Sequence, residues 1–379
     1  MSFDPPFPRW QPAPGAAIRP AATLVVLRDA PTGIEVLLLR RVSRDSDVHS
    51  GACVFPGGLL DAADGEVEPH CEGFDDGRAS ALLGLERGGL GYFVAALREC
   101  FEEAGLLYAS RTDGQPMTEA QLADLAGWRE PLNRGERRLD ALCGQFGLRL
   151  AVDRLAYFSH WLTPPGVPKR YDTRFFVAEA PALQAASQDA VETVEQLWIR
   201  PADAIGQAKA LHLVLPTLKT LQLLQQFDSV GAVMAHAHTP RTVPCTMPHL
   251  GRGAKGVRPV HPDEPAWAEL GRLDPQGQGT ASFELTPGTP VRLSPRLIRI
   301  TANNGSMMTG PGTNTYLLGG GDRNEWAAID PGPDDAVHVQ AIVDAAPGPI
   351  RWIFVTHTHK DHSPAAAALK ARTGAQVLG

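Results

Sequence analysis

The chain has 379 residues, 43% of them hydrophobic and 20% charged, with a formal net charge of -7. That length allows two or three domains with cores of their own. The negative balance gives no footing for a broad nucleic-acid or anionic-membrane surface, and no apolar run is long enough to span a bilayer. The five cysteines, Cys53, Cys71, Cys100, Cys143 and Cys245, are scattered and form no Cys-x-x-Cys pair. With no basic-then-apolar leader at the N-terminus, they read as free thiols in a reducing cytoplasm.

Residues 1–18 are Pro-rich and read as an irregular arm. A strand is expected over 22–28, a turn at Pro31–Gly33 and a hairpin partner over 35–40. Residues 53–55 read as a short strand ending at the turn Pro56, Gly57, Gly58. The acidic, Gly-rich stretch of about 61–91 reads as a surface insertion with a helical patch at 80–86. Over 92–105 the apolar residues Phe93, Ala96, Leu97, Cys100 and Phe101 recur at helical spacing, and Gly105 is a natural stop. Strands follow at 155–161 and 173–178, separated by a Pro-rich loop at 163–171, and another at 193–199. Pro201 opens a helix, and 216–227 closes this region with a second one.

Residues 229–290 accumulate Pro, Gly and His, including His236, His238, His249 and His261, and read as a linker or peripheral segment. A new domain is expected over 291–379. Its strands fall at 297–301, 315–318, 326–330, 352–356 and 375–378, and its helices at 336–345 and 364–373. Strands alternating with helices argue for an α/β unit.

Two clusters carry chemistry. Glu99, Glu102 and Glu103 stand at i, i+3 and i+4, so they share a helical face, where like charges repel. A hard cation with oxygen ligands reverses that sign. The flanking glycines let a main-chain carbonyl approach, and Arg98 can orient a carboxylate through a paired hydrogen bond. A Glu-rich helical face is by itself more often plain solvated surface; the rest of the string changes that reading.

The string resembles the Nudix box, G-x5-E-x7-R-E-U-x-E-E-x-G-U, where U is aliphatic. Gly58 matches the first glycine, and Arg98, Glu99, Glu102, Glu103, Gly105 and Leu106 match the second half. Cys100 takes an ordinarily aliphatic position. Between Gly58 and Arg98 the chain has 26 residues more than the motif. The first acidic position therefore falls on Asp64 counted from Gly58, or on Leu90 counted from Arg98, and is left open. Gly51 to Gly58, the segment His160, Trp161, Leu162, Thr163, Pro164, Pro165, and the run from Lys169 to Phe176 look like the coenzyme A diphosphatase-like branch. The resemblance covers residues 19–228. It implies an α/β/α sandwich and a Mg2+- or Mn2+-dependent hydrolase acting on a nucleoside diphosphate derivative, with coenzyme A or acyl-coenzyme A as candidates. Carried over, Arg98, Glu99, Glu102 and Glu103 are catalytic. Glu99, Glu102, Glu103 and the Gly58 carbonyl hold the metal, and Lys169, Arg170 and Arg174 bind phosphate.

Three histidines and an aspartate fall within six residues: His357, His359, Asp361 and His362. Packing alone does not call for such a set, and the ligand types suit zinc. The string resembles His-x-His-x-Asp-His of the metallo-β-lactamase fold, with Gly312 to Tyr316 and Ile329 to Gly332 as further matches. The resemblance implies an αββα sandwich and a Zn2+ pair, with later ligands falling beyond Gly379. The expectation is thus a partial domain that binds metal weakly and does not turn over.

The competing readings are a zinc-dependent thioesterase or ribonuclease-like hydrolase, with the Nudix region in support, and a non-catalytic nucleotide-binding module. The expected partner is a small nucleotide, not a membrane or nucleic acid, and a homodimer is left open.

Overall fold

The computed structural model describes residues 16–42, 51–115, 117–182, 184 and 193–379, so most of the expected N-terminal arm lies outside the described residues. The described residues divide into two compact units, the first ending at Met247 and the second spanning Pro248–Gly379.

The first unit is built on a mixed sheet. Its strands run in the order Thr193–Ile199, Gly33–Arg41, Ile18–Ala30, Arg170–Glu179, Ala156–Leu162 and Cys245–Thr246; the short strands Cys53–Val54 and Gly57–Leu59 pair beside it. Ile18–Ala30 lies at its centre, parallel to Arg170–Glu179 and antiparallel to Gly33–Arg41. Its run Leu24, Val25, Val26, Leu27 is fully buried, as a strand covered on both faces requires. Ala22, Leu24 and Val26 pack toward Phe93, Leu97 and Phe101 of the helix Gly89–Ala104. Val25 and Leu27 pack toward Leu218, Leu221, Val230 and Val233 on the helices Leu215–Leu224 and Val230–His238. The result is the expected α/β/α layering.

The insertion is folded. A 3-10 helix, Ala62–His70, leads into a helix over Asp76–Leu83, earlier than the patch expected at 80–86. Here the sequence reading fell short because the insertion's helices are too short to show a period. The same holds for Glu119–Ala126, Arg129–Asn133 and Leu139–Phe146, which place Leu125, Leu132 and Leu142 against the first core.

The long helix Gly89–Ala104 has an unusual start. Its N-cap is Gly88, with φ of 78° and no side-chain cap of its own. Asp76 supplies the missing acceptors: its carboxylate takes Gly88 N and Leu90 N, each at 2.9 Å, and Ser80 Oγ takes Gly89 N at 2.9 Å. A Cβ on Gly89 would lie 2.3 Å from Ser80 N, so only glycine permits this approach. The helix ends at Gly105, with φ of 72°, whose N–H donates to Phe101 O at 2.9 Å.

The second unit holds a sheet of Pro290–Ser294, Leu297–Thr301, Asn314–Gly320, Glu325–Ile329, Ile350–Phe354 and Gln376–Leu378, antiparallel over the first four and parallel over the last three. Helices Ala336–Ala345 and Ala365–Thr373 bury Val339, Ile342 and Leu369 against Ile300, Leu317 and Ile353 on one face. On the opposite face Leu318, Trp352 and Phe354 are 47%, 37% and 41% exposed. This is one sheet with its helix layer, half of the arrangement expected of an αββα sandwich.

The 229–290 stretch, read as a linker or peripheral segment, is largely structured. It holds the helix Val230–His238, the hairpin His249–Gly253 with Gly256–Val260, and the helix Trp267–Leu273. Its histidines are dispersed: His236 lies against Phe227, His249 stacks on Trp267, and His261 meets Asp263. Short elements punctuated by Pro and Gly carry too few turns to show in a sequence pattern. No helix among the described residues is long and apolar enough to cross a membrane.

Candidate active site

The glycine turn and the carboxylate helix meet at van der Waals limits. A Cβ on Gly58 would lie 2.4 Å from Glu99 Oε1, and one on Gly57 would lie 2.5 Å from Ala22 O. Gly57 N donates to Glu103 Oε2 at 3.0 Å. The turn therefore fixes Glu103 with a backbone amide while leaving room for Glu99.

Arg98 knits the cluster together. Its guanidinium donates to both oxygens of Asp64, at 2.8 and 3.1 Å, and to Leu59 O at 2.8 Å. It also reaches Glu99 Oε1 at 2.9 Å and Glu102 Oε2 at 3.1 Å. Burial opposes the Arg98 charge, but Asp64 and the two glutamates outweigh it and hold the proton more firmly than usual. Glu102 and Glu103 are only 5% and 2% exposed. Burial pushes the Glu102 carboxyl up to about 7, Glu99 and Asp64 add to that, and Arg98 works against it.

Asp64 is the residue that sequence reasoning left open. It sits at the position counted from Gly58, and the 26 extra residues follow it. The signal was present in that count, but only the paired bond to Arg98 selects it over Leu90.

Of the three expected phosphate binders, Lys169 is exposed and Arg170 donates to Thr163 O at 3.1 Å across the base of its loop. Arg174 is 4% exposed and donates to Asp172 Oδ1 at 2.6 Å. Asp172 Oδ1 also lies 2.5 Å from His160 Nε2, which Arg174 Nη1 contacts in turn. Burial works against the charge on Asp172, but its bond to His160 and the charge of Arg174 hold the carboxyl below the usual range. His160 belongs to this polar cluster, while its neighbour Trp161 is in the core. Strand register places Gly58, Ala22, Arg174 and His160 in one row across the sheet, so Arg174 lies two strand spacings, about 10 Å, from Gly58.

In the second unit the loop after Ile350–Phe354 gathers the four expected ligands. The His357 ring lies 4.7 Å from His359 and 4.1 Å from His362, centre to centre. His362 Nε2 is 3.3 Å from Asp361 Oδ2, and Thr313 Oγ1 donates to the same Asp361 oxygen at 3.3 Å. Asp330, to which the sequence assigned no role, braces the loop. Its carboxylate accepts Thr356 N at 2.8 Å and Thr356 Oγ1 at 2.7 Å, and meets His362 Nδ1 at 3.0 Å.

Among the described residues, no group of three or more His, Cys, Asp or Glu has its donors converged on one point as an ion would require. At the first cluster Arg98 bridges the carboxylates instead. The donor chemistry still fits a hard cation: these are oxygen ligands, and Glu102 is pushed up to about 7 by burial first and by Glu99 and Asp64 after it, all of which added positive charge would offset.

Comparison with known proteins covers both units. Residues 87–222 match the family described as the NUDT19 Nudix domain, and residues 308–379 match the metallo-beta-lactamase superfamily. The chain is 31% identical to the acyl-coenzyme A diphosphatase NUDT19 of Gallus gallus, over 53% of this chain and 64% of that one. It is 46% identical to a hydroxyacylglutathione hydrolase of Anaeromyxobacter dehalogenans (strain 2CP-C), over 17% of this chain and 24% of that one. Among solved structures, a NUDIX hydrolase from Alicyclobacillus acidocaldarius is 29% identical, with 58% of this chain and 96% of that chain covered and a TM-score of 0.46. The chain thus spans just under two thirds of the avian relative it matches.

Proposed function

We propose that this chain, which carries a Nudix domain of the NUDT19 type and a metallo-β-lactamase-superfamily segment, hydrolyses the diphosphate bond of a nucleoside diphosphate derivative. Coenzyme A and its acyl thioesters are the first candidates, since the avian relative is named an acyl-coenzyme A diphosphatase. The observation that supports this reading most is that Glu99 and Glu103 meet the Gly57–Gly58 turn while Arg98 ties Glu99 and Glu102 to Asp64.

Each residue has a distinct task in this reading. Glu99, Glu102, Glu103 and the Gly58 carbonyl would hold Mg2+ or Mn2+, which when bound offsets the charge of the phosphates. Glu103 is held by the Gly57 amide and cannot swing away. Glu99 and Glu102 share Arg98, so one can orient a water while the other stays anchored. Lys169 and Arg170, at the loop over 163–171, would meet phosphate, and Arg174 would act through Asp172 and His160. The expected domain limits of 19–228 and 291–379 are extended in the same proposal to the two compact units, which divide after Met247.

The test is hydrolysis of coenzyme A, an acyl-coenzyme A, ADP-ribose, NADH and diadenosine polyphosphates with Mg2+ or Mn2+. Cleavage of one compound, lost in Glu103→Gln, supports the reading and names the substrate. Tight nucleotide binding without turnover of any of them, in folded protein, would sink it in favour of a binding module.

A second reading rests on the gathering of His357, His359, Asp361 and His362 around the Asp330 brace: a Zn2+ site in the second unit. Metal analysis after zinc loading checks it. Stoichiometric zinc, lost in His357→Ala with His359→Ala, supports it and overturns the expectation of weak binding; no zinc bound even at saturating concentration excludes it.

A further inference from the structure

The last turn of the helix Gly89–Ala104 carries Glu102 and Glu103, and a helix leaves its final carbonyls without intrahelical partners. Gly105 N donates to Phe101 O at 2.9 Å. The further donor comes from outside the helix. Arg129, the first residue of Arg129–Asn133, donates from Nε to Phe101 O at 3.0 Å and from Nη2 to Glu102 O at 3.1 Å.

One guanidinium on two consecutive carbonyls fixes the tilt of the turn as well as its position. Its donors form a rigid planar fork, and a lysine ammonium would act there as a single point. The charge also stands at the negative end of the helix dipole, where a cation is favoured. The other side of the same turn is fixed by Gly57 N on Glu103. The carboxylates are thus carried on a turn gripped from both sides, by Gly57 next to the start of the sequence motif and by Arg129 well beyond its end.

We propose that Arg129 is a positioning residue for hydrolysis at this cluster, acting through the backbone of Phe101 and Glu102 to set where the Glu102 and Glu103 carboxylates stand. The inference rests on the diphosphatase reading for its kinetic consequence, though not for its geometry. A displacement of about 1 Å at a reacting centre can cost on the order of 100-fold in rate.

Two variants test it, Arg129→Gln and Arg129→Lys, each followed by steady-state kinetics and by hydrogen exchange of the amides at Ala104 and Gly105. In Arg129→Gln, kcat should fall roughly tenfold or more with KM within about twofold, because the turn moves while the substrate contacts stay. Exchange at the two amides should quicken. Arg129→Lys guards against a folding defect and should recover only part of kcat, since it restores charge but not the paired bond. Unchanged kcat, full recovery by lysine, or a KM change equal to that in kcat would each overturn the proposal. If the wild-type chain cleaves no diphosphate, the functional reading fails alone. Exchange then still decides the clamp: faster exchange in Arg129→Gln supports it, and equal rates overturn it.

Discussion

The carboxylate cluster of the first unit and the histidine loop of the second hold charged side chains together by opposite means. Glu102 and Glu103 are almost fully buried on a long helix, and the carboxylates are gripped by Arg98 of the same helix, with Asp64 behind it, and by Gly57 N of the turn. His357 and His359 stand exposed on a loop, and the bracing comes from Thr313, Thr356 and Asp330 beneath. The first arrangement is rigid and electrostatically tense; the second is open and depends on one buttressing aspartate. Burial makes geometry durable but raises the penalty for losing any single partner.

That contrast can be broken at several points. The largest effect is expected from Asp64→Ala, which strips the buried Arg98 of its main partner. Arg98 loses two charge-assisted bonds, each contributing about 1.5–3 kcal/mol, while Glu99, Glu102 and Leu59 O remain, and denaturant unfolding of the first unit should show the loss. Removing the corresponding brace in the second unit, Asp330→Ala, should cost less, because its partners are nearer to solvent. Equal losses at the two positions would refute the distinction.

Gly58→Ala comes next. The new methyl group would meet Glu99 at 2.4 Å, so Glu99 or the turn must shift. Overpacking of this kind costs about 1–3 kcal/mol, and turnover should fall well before the fold is lost. A variant with wild-type kcat would show that the turn is loose.

A smaller effect belongs to Asp76. Burial opposes its charge, but the amides of Leu90 and Gly88 and the Ser80 hydroxyl outweigh that and lower its pKa below the ordinary value of 3.8. A carboxyl with a depressed folded-state pKa contributes stability above the unfolded value and loses it as pH falls through the folded one. Asp76→Asn should therefore cost about 1 kcal/mol at neutral pH, typical of a lost helix cap, and the gap to wild type should narrow below about pH 4. A gap independent of pH, followed by thermal unfolding, would contradict the assignment.

The smallest effect should come from the exposed pair. His357→Ala with His359→Ala should leave diphosphate turnover within about twofold, as surface changes away from a site ordinarily do. A large loss of that activity would mean the two clusters are not separate functions.

The parts that could be read from sequence were those with enough length or local density to carry a signal. Sixteen residues of helix showed Phe93, Leu97 and Phe101 at the right spacing and ended on Gly105. Four ligand-type residues within six positions announced the histidine loop. What escaped notice was whatever depended on distance. Asp64 pairs with a residue 34 positions away, and Asp330 reaches His362 across 32. Parallel pairing of Glu325–Ile329 with Ile350–Phe354 brings Asp330 beneath the loop, and no local pattern encodes that. Arg129 was silent for the same reason: it sits in a five-residue helix with no period to read.

The interrupted motif has an energetic side. In the uninterrupted box the acidic residue and the arginine are eight positions apart; here Asp64 and Arg98 are separated by 34. Closing a flexible loop costs only about 0.6 kcal/mol for each doubling of its length, so the longer excursion adds roughly 1 kcal/mol to the entropy of bringing the pair together. The cost shrinks further because the excursion folds and anchors itself to the start of the same helix through Asp76 and Ser80. The geometry of a catalytic motif can therefore tolerate being cut open in sequence, provided the inserted chain returns to the helix it interrupts.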